Sequence, residues 1–397
     1  MIRSKWTAKW VLMLLVTLAT PAWGQTDLVN TPARDNMIDA ANSYIFVFDP
    51  SQVSAQEVPD QATALTQRAG GQLRFTYKTA LRGFSASMSR QAAEQLASRN
   101  PLIAYFEPNG IVWQVGKQGP DTSKKPSNPG KGGSGGGETE PSQVVPYGIQ
   151  RVGGALNVDG FGYKAWIIDT GIDSKHPDLH VGAGANFVSR GKNTTQDGNG
   201  HGTHVAGTIA AIDNAIDVVG VAAGATVIPV RVLDNSGSGT IDGVVAGVDY
   251  VAANAQSGEC ANLSLGASGH FQSLHDAIWN AAENQGINFT IAAGNNGADS
   301  NNYEPAHIEH ARVYTISAID SNDNFASFSN WGNPPVDFSA PGVGILSTKK
   351  GGGVTTLSGT SMAAPHVCGI LTTRQIPIQG GLANGDPDGN PDPVATR

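Results

Sequence analysis

Cysteine is nearly missing: Cys260 and Cys368 are the only two in 397 residues. A pair cannot build a disulfide framework, and neither has neighbours that would activate a thiolate, which argues against a cysteine nucleophile. Both sit in apolar surroundings, so a single bridge and two buried thiols stay open. Charge is scarce too, at 15% of residues with a formal net charge of -8. Phosphate binding needs clustered Lys and Arg, so a nucleic-acid partner is argued against. Beyond the first two dozen residues no segment reads as a membrane span. Glycine is what the chain has in quantity, 50 residues, as suits a compact, loop-rich globular protein.

The N-terminus reads as an export leader. Arg3, Lys5 and Lys9 precede the apolar run from Trp10 to Ala19, and small residues Ala22 and Gly24 follow at signal-peptidase spacing. The run is short for a span, so cleavage near Gly24 and a secreted product, extracellular or periplasmic, are expected over a retained anchor. Residues 43–115 read as a small α+β module of order β-α-β-β-α-β, with strands near 44–48, 73–77, 84 and 102–106, and helices over 56–69 and from an N-cap at Ser89. Residues 116–141, rich in Gly, Pro and Ser, cannot bury a core and read as a linker. From 142 onward apolar runs at 165–168, 225–230 and 287–292 alternate with helical stretches at 241–254 and 273–284. That alternation implies an α/β domain with a mostly parallel sheet, buried on both faces, whose chemistry gathers at the strands' carboxyl ends.

Three segments carry chemistry. Ile167-Ile168-Asp169-Thr170-Gly171 ends a buried strand with a carboxylate. Asn199-Gly200-His201-Gly202-Thr203-His204 starts a helix with an imidazole, and Gly359-Thr360-Ser361-Met362-Ala363 starts another with a hydroxyl. Serine is a poor nucleophile unless an imidazole, held in one tautomer by a buried carboxylate, takes its proton. Asp169, His201 and Ser361 supply one of each.

These three segments, in this order, resemble the signature motifs of the subtilisin-like serine proteases (subtilases, peptidase family S8) over roughly Ser142 to Ile370. The resemblance implies a subtilisin-like three-layer α/β fold and a serine endopeptidase with Asp169, His201 and Ser361 as its triad. His204 then matches a packing position and Asp173 a supporting one. Ala292-Ala293-Gly294-Asn295 resembles the family's oxyanion motif, making the Asn295 side chain and the Ser361 N–H the two donors. Gly237, Ser238 and Gly239 resemble the segment that pairs with substrate backbone. Ser264, Leu265 and Gly266 resemble the opposite cleft wall, and Ala292, Ala293 and Gly294 the primary pocket. Small residues there imply polypeptide substrates taken with broad specificity and an apolar bias.

The resemblance also implies a structural Ca2+. The matching ligands are carbonyls of Ile212, Ile216 and Val218, with the side chains of Gln143, Asp178 and Asn214, an oxygen shell suited to a hard cation. The N-terminal module resembles the inhibitor I9-type prodomain of the family, of ferredoxin-like topology. It is expected to template folding, to inhibit the cleft, and to be cut near Val115-Gly116, leaving a monomer. After Gly369 the resemblance fades. The tail from about 377 is expected to be irregular, with Asp386 to Asp392 solvated. A non-catalytic binding or scaffold protein is the alternative that the short C-terminus leaves open.

Overall fold

A computed structural model of the chain describes residues 34–115 and 143–397. The expected leader at 1–24 and linker at 116–141 lie outside the described residues.

The N-terminal module has helix α1 (Arg34–Ala41), strand β1 (Ser43–Phe48), helix α2 (Val58–Arg68), strands β2 (Gln72–Tyr77) and β3 (Gly83–Ser87), helix α3 (Arg90–Arg99) and strand β4 (Ile103–Pro108). The strands form an antiparallel sheet of order β2-β3-β1-β4. From β1 to β4 this is the expected order of elements; α1 is an addition. Alternation along β1 divides its side chains between two cores. Phe46 and Phe48 meet Phe84 and Val58 in the module's own core, with the Phe46 and Phe84 rings 4.9 Å apart. Ile45 and Val47 face the other way, into the core of the larger domain. Ser89 accepts from the Ala92 N–H and caps α3, as expected.

The larger domain is built on a ten-stranded sheet. At its centre Thr226–Arg231, Lys164–Asp169, Cys260–Leu263, Asn288–Ala292, Val313–Ile319 and Val336–Pro341 run side by side, all parallel. Trp166 and Ile168 pack beneath helices Ile241–Asn254 and Gln272–Gln285. Ala165 and Ile167 point to the other face, against helices His201–Ala210 and Thr360–Thr372. A strand apolar on both faces is what a sheet between two helix layers needs, so the α/β reading holds. No helix among the described residues is long and apolar enough to cross a membrane.

Three expectations are corrected or resolved. The tail is not irregular: Ile378–Leu382 and Pro393–Thr396 form an antiparallel pair, and the second strand joins the sheet edge through Ser339 and Val394. Nor is the acidic stretch wholly solvated. Asp386 and Asp392 are buried, Asp392 accepting from the hydroxyls of Ser317 and Ser339 while Pro387 to Pro391 stay exposed. The partners lie more than fifty residues upstream, so no local pattern announces them. Cys260 and Cys368, both fully buried, are joined as a disulfide that ties a central strand to the Thr360–Thr372 helix.

Candidate active site

Asp169 is the last residue of its strand, His201 the first of its helix and Ser361 the second of another. Parallel strands bring such ends to one edge of the sheet. His201 Nδ1 lies 2.9 Å from both carboxylate oxygens of Asp169, and both residues are buried. That contact orients the ring, and Nε2 is buried without a hydrogen-bond partner among the described residues. Gly202 is required beside it: a Cβ there would collide with the carbonyl of Gly171 and crowd the Asp169 side chain.

Asp197, missed in the sequence reading, organises this turn. Its buried carboxylate accepts from Thr170 Oγ1, from the N–H groups of Asn199, Gly200 and Thr203, and from Thr203 Oγ1. The Asp-Gly-Asn-Gly run just before His201 was its available signal. Asp173, matched to a supporting position, and His204, matched to a packing one, are both buried nearby. Asp173 accepts from the Lys175 and Gly351 N–H groups and from Gln196. His204 Nε2 lies 3.0 Å from the Ile345 carbonyl, and burial pulls its pKa down to about 3.

The cleft is filled. Strand β5 (Ile111–Gln114) lies between Ser238–Thr240 and Leu265–Ser268, antiparallel to both. Trp113 pairs with Ser238 on one side and Gly266 on the other, and the Gln114 N–H donates to Gly237 at 2.8 Å. The Val115 N–H then donates to the Ser264 carbonyl at 3.2 Å. The Val115 carbonyl accepts from the Ser361 N–H at 3.3 Å and from its hydroxyl, which also has the Ser264 carbonyl at 3.1 Å. The segments around Gly237 and Ser264 therefore grip an extended backbone and deliver its carbonyl to Ser361.

Asn295 stands in the turn beyond the strand Asn288–Ala292. Its Oδ1 accepts from Thr360 N–H at 2.9 Å and Oγ1 at 3.0 Å, so that end of the amide is tied to the start of the Ser361 helix. Its two N–H donors are on the other end. Ala292, Ala293 and Gly294 are buried at the same strand end. Gly294 N–H is bonded to Thr360 Oγ1, and the Ala293 carbonyl accepts from Asn330.

The six residues expected to hold a cation come together. Gln143 Nε2 reaches the carbonyls of Ile212 at 2.5 Å and Val218 at 3.0 Å. Asn214 donates to Asp178 at 2.7 Å and accepts from the Ile216 N–H. The Ile212 and Val218 carbonyls thus meet at the Gln143 amide, with Asp178 beside Asn214, and burial pushes the Asp178 carboxyl up to about 6. A set dominated by oxygen, with a single carboxylate, fits a hard divalent ion.

The module and the larger domain share further contacts that sequence reasoning did not find. Arg74 pairs with Asp242 at 2.6 Å, and Asp249 accepts from the N–H groups of Lys78, Thr79 and Ala80. Glu107 accepts from the Gln272 and Ser273 N–H groups, the start of a helix, where a negative charge is favoured.

Comparison with known proteins agrees with this geometry. The Subtilase family model matches residues 162–375. M-protease of Shouchella clausii (strain KSM-K16) is 45% identical over 236 residues, covering 58% of this chain and 60% of that protein. Subtilisin Savinase of Lederbergia lenta is 45% identical over 232 residues, 57% of this chain and 83% of its own. Alkaline serine exoprotease A of Vibrio alginolyticus is 36% identical over 351 residues, 84% of this chain and 60% of its own. The chain thus spans about 60% of the length of M-protease and of exoprotease A. A solved structure of a cold adapted subtilisin-like serine proteinase aligns at a TM-score of 0.52 with 40% identity, covering 59% of this chain and 85% of that one. With more than half of its residues under the family model and the motifs gathered at one sheet edge, the chain belongs to the subtilase family.

Proposed function

We propose that this protein is a secreted serine endopeptidase, made as a precursor that cuts itself after Val115. The observation that carries the reading is the Val115 carbonyl on the N–H and hydroxyl of Ser361. In the reaction, Ser361 Oγ adds to the carbonyl carbon while its proton passes to His201 Nε2. Asp169 holds the ring tautomer and offsets the imidazolium charge. The negative charge that forms on the carbonyl oxygen is met by the Ser361 N–H, at the positive end of its helix, and by the Asn295 amide. His201 then protonates the leaving amine, and water repeats the sequence on the acyl-enzyme to regenerate Ser361.

Residues 43–115, of ferredoxin-like topology, act as folding template and inhibitor. After cleavage β5 stays in the cleft as a product, paired with the same backbone that would pair with a polypeptide substrate. Val115 at the cut and small residues Ala292, Ala293 and Gly294 in the primary pocket support broad specificity with an apolar bias, in a monomer. Gln143, Asp178 and Asn214 with the carbonyls of Ile212, Ile216 and Val218 would hold Ca2+, whose charge would bind these segments together.

The test is the intact mass of the protein beside a Ser361→Ala variant, each expressed with Ca2+. A core and a released module cut at Val115-Gly116 from the parent, and one uncut chain from the variant, are expected. If the parent stays whole under folding conditions, the endopeptidase reading fails.

A further inference from the structure

A second group of ligating side chains lies on the outer flank of the cleft wall. The strand Leu265–Ser268, which grips β5 on one edge, pairs on its other edge with Tyr303–Glu304. His270 follows the first of these strands, and His307 stands three residues beyond Glu304. One ligand atom from each of His270, Glu304 and His307 lies within 4.8 Å of the other two.

Four details set this cluster apart from a chance meeting. His270 Nδ1 and His307 Nε2 are 3.3 Å apart. Two nitrogens bound at 2.0–2.1 Å to one tetrahedral ion would be separated by about 3.4 Å. The other nitrogen of His307, Nδ1, lies 3.2 Å from the Tyr303 carbonyl, the outer hydrogen bond that orients a metal-binding imidazole, and 3.4 Å from Glu304 Oε2. Glu304 is fully buried, yet only one of its oxygens is used. Oε2 accepts from the Phe271 N–H at 3.3 Å, while Oε1 has no partner among the described residues. A buried carboxylate oxygen is seldom left without a partner. His275 lies against the His307 ring, 5.4 Å between centroids, and steadies it.

We propose that His270, Glu304 and His307 bind one divalent transition-metal ion of the zinc class, with the exposed His270 side leaving a fourth position for water. Two imidazoles and one carboxylate suit Zn2+, Co2+ or Cu2+ and not the oxygen-seeking Ca2+. The ion would cross-link the two strands and stiffen the wall from outside. Nothing in this assignment depends on which peptide the cleft takes or on whether Ser361 is active.

The experiment uses the full-length Ser361→Ala protein with Ca2+ in excess, titrated with Co2+, whose visible absorption reports tetrahedral nitrogen and oxygen ligands. One equivalent should bind, and Zn2+ should displace it. His270 is exposed, so His270→Ala keeps the fold while removing a ligand. Its Co2+ affinity should fall by at least the about 10–100-fold that losing an outer hydrogen bond to a ligand costs. Glu304→Gln should show a loss of similar size. The proposal is overturned if His270→Ala binds Co2+ as the parent does, if neither protein takes up Co2+ or Zn2+, or if Ca2+ competes for the site.

Discussion

The carbonyl oxygen of Val115 rests against Ser361, a residue 246 positions further along the chain, within reach of both its N–H and its hydroxyl. The contact exists because β5 is held on both edges, by Ser238–Thr240 and Leu265–Ser268, so its register leaves Val115 one step beyond the last paired residue. An extended strand alternates its side chains, and its carbonyl can meet Ser361 only when that register is kept. The grip and the chemistry are therefore set by one ladder of backbone hydrogen bonds.

Replacing Asn295 tests the oxyanion assignment. In Asn295→Ala the backbone grip on the substrate is untouched, so KM for a peptide substrate should change little. The loss should fall on kcat, by about 10²–10³, the size found when a subtilisin loses its oxyanion-hole asparagine. The measurement is steady-state hydrolysis of a chromogenic peptide after removal of the module. An unchanged kcat would mean that Asn295 serves only its bond to Thr360.

How much of this was legible depends on how local each signal is. The central strands show in sequence because both faces are buried, so Ala165 to Ile168 are apolar without a break. The segments of Asp169, His201 and Ser361, proposed as a triad, show because each residue sits at a strand or helix end with its own glycine-rich turn. The tail hairpin does not show: Val394 meets Ser339, and Asp392 meets Ser317, across distances that no sequence window spans. The same holds for the Cys260–Cys368 pairing and for the module's contacts, where a carboxylate such as Asp249 looks like any exposed helix charge until its partners are placed.

Asp249 should matter for how tightly the module is held. Its carboxylate accepts from three successive N–H groups, those of Lys78, Thr79 and Ala80, at 2.7–3.1 Å. Asp249→Asn removes the charge and turns an N–H2 group toward donors. Hydrogen bonds to a charged group are worth about 1.5–3 kcal/mol each, so losing one corresponds to about 10–100-fold faster release of the cleaved module. With the module cut as proposed, the delay before activity appears reads that release. A delay equal to the parent's would remove Asp249 from the interface account.

The Cys260–Cys368 bridge joins residues 108 apart, so it restricts a long loop of the unfolded chain. Replacing both with Ala should lower stability by roughly 2–5 kcal/mol. Both residues are fully buried, so thiol reagents should leave the folded bridge intact and reduce it only on unfolding. Urea unfolding of the inactive Ser361→Ala form, with and without the pair, checks the first claim. Equal midpoints would show that the bridge adds nothing to the fold.

Acid should weaken the fold through two histidines that take up a proton less readily while buried. His366 donates Nδ1–H to the Met362 carbonyl at 2.8 Å, with its other nitrogen packed against Gly148, and burial pulls its pKa down to about 4. His204 is pulled down further, to about 3, for the same reason. In the unfolded chain each would bind a proton near pH 6.5. The stability they contribute is therefore complete above about 6.5 and is lost as the pH falls toward the folded values, by about 1.4 kcal/mol per pH unit for each. Buried carboxylates work against this trend: burial pushes Asp337 and Asp392 up to about 7, so the folded state takes up their protons first. The comparison must then be between variants and not with an absolute curve. Against the Ser361→Ala parent, Ser361→Ala/His366→Gln should be less stable at pH 7.5 but should lose stability less steeply between about pH 6 and 5, by close to one proton. Parallel curves across that interval would show that His366 is not held neutral in the folded state.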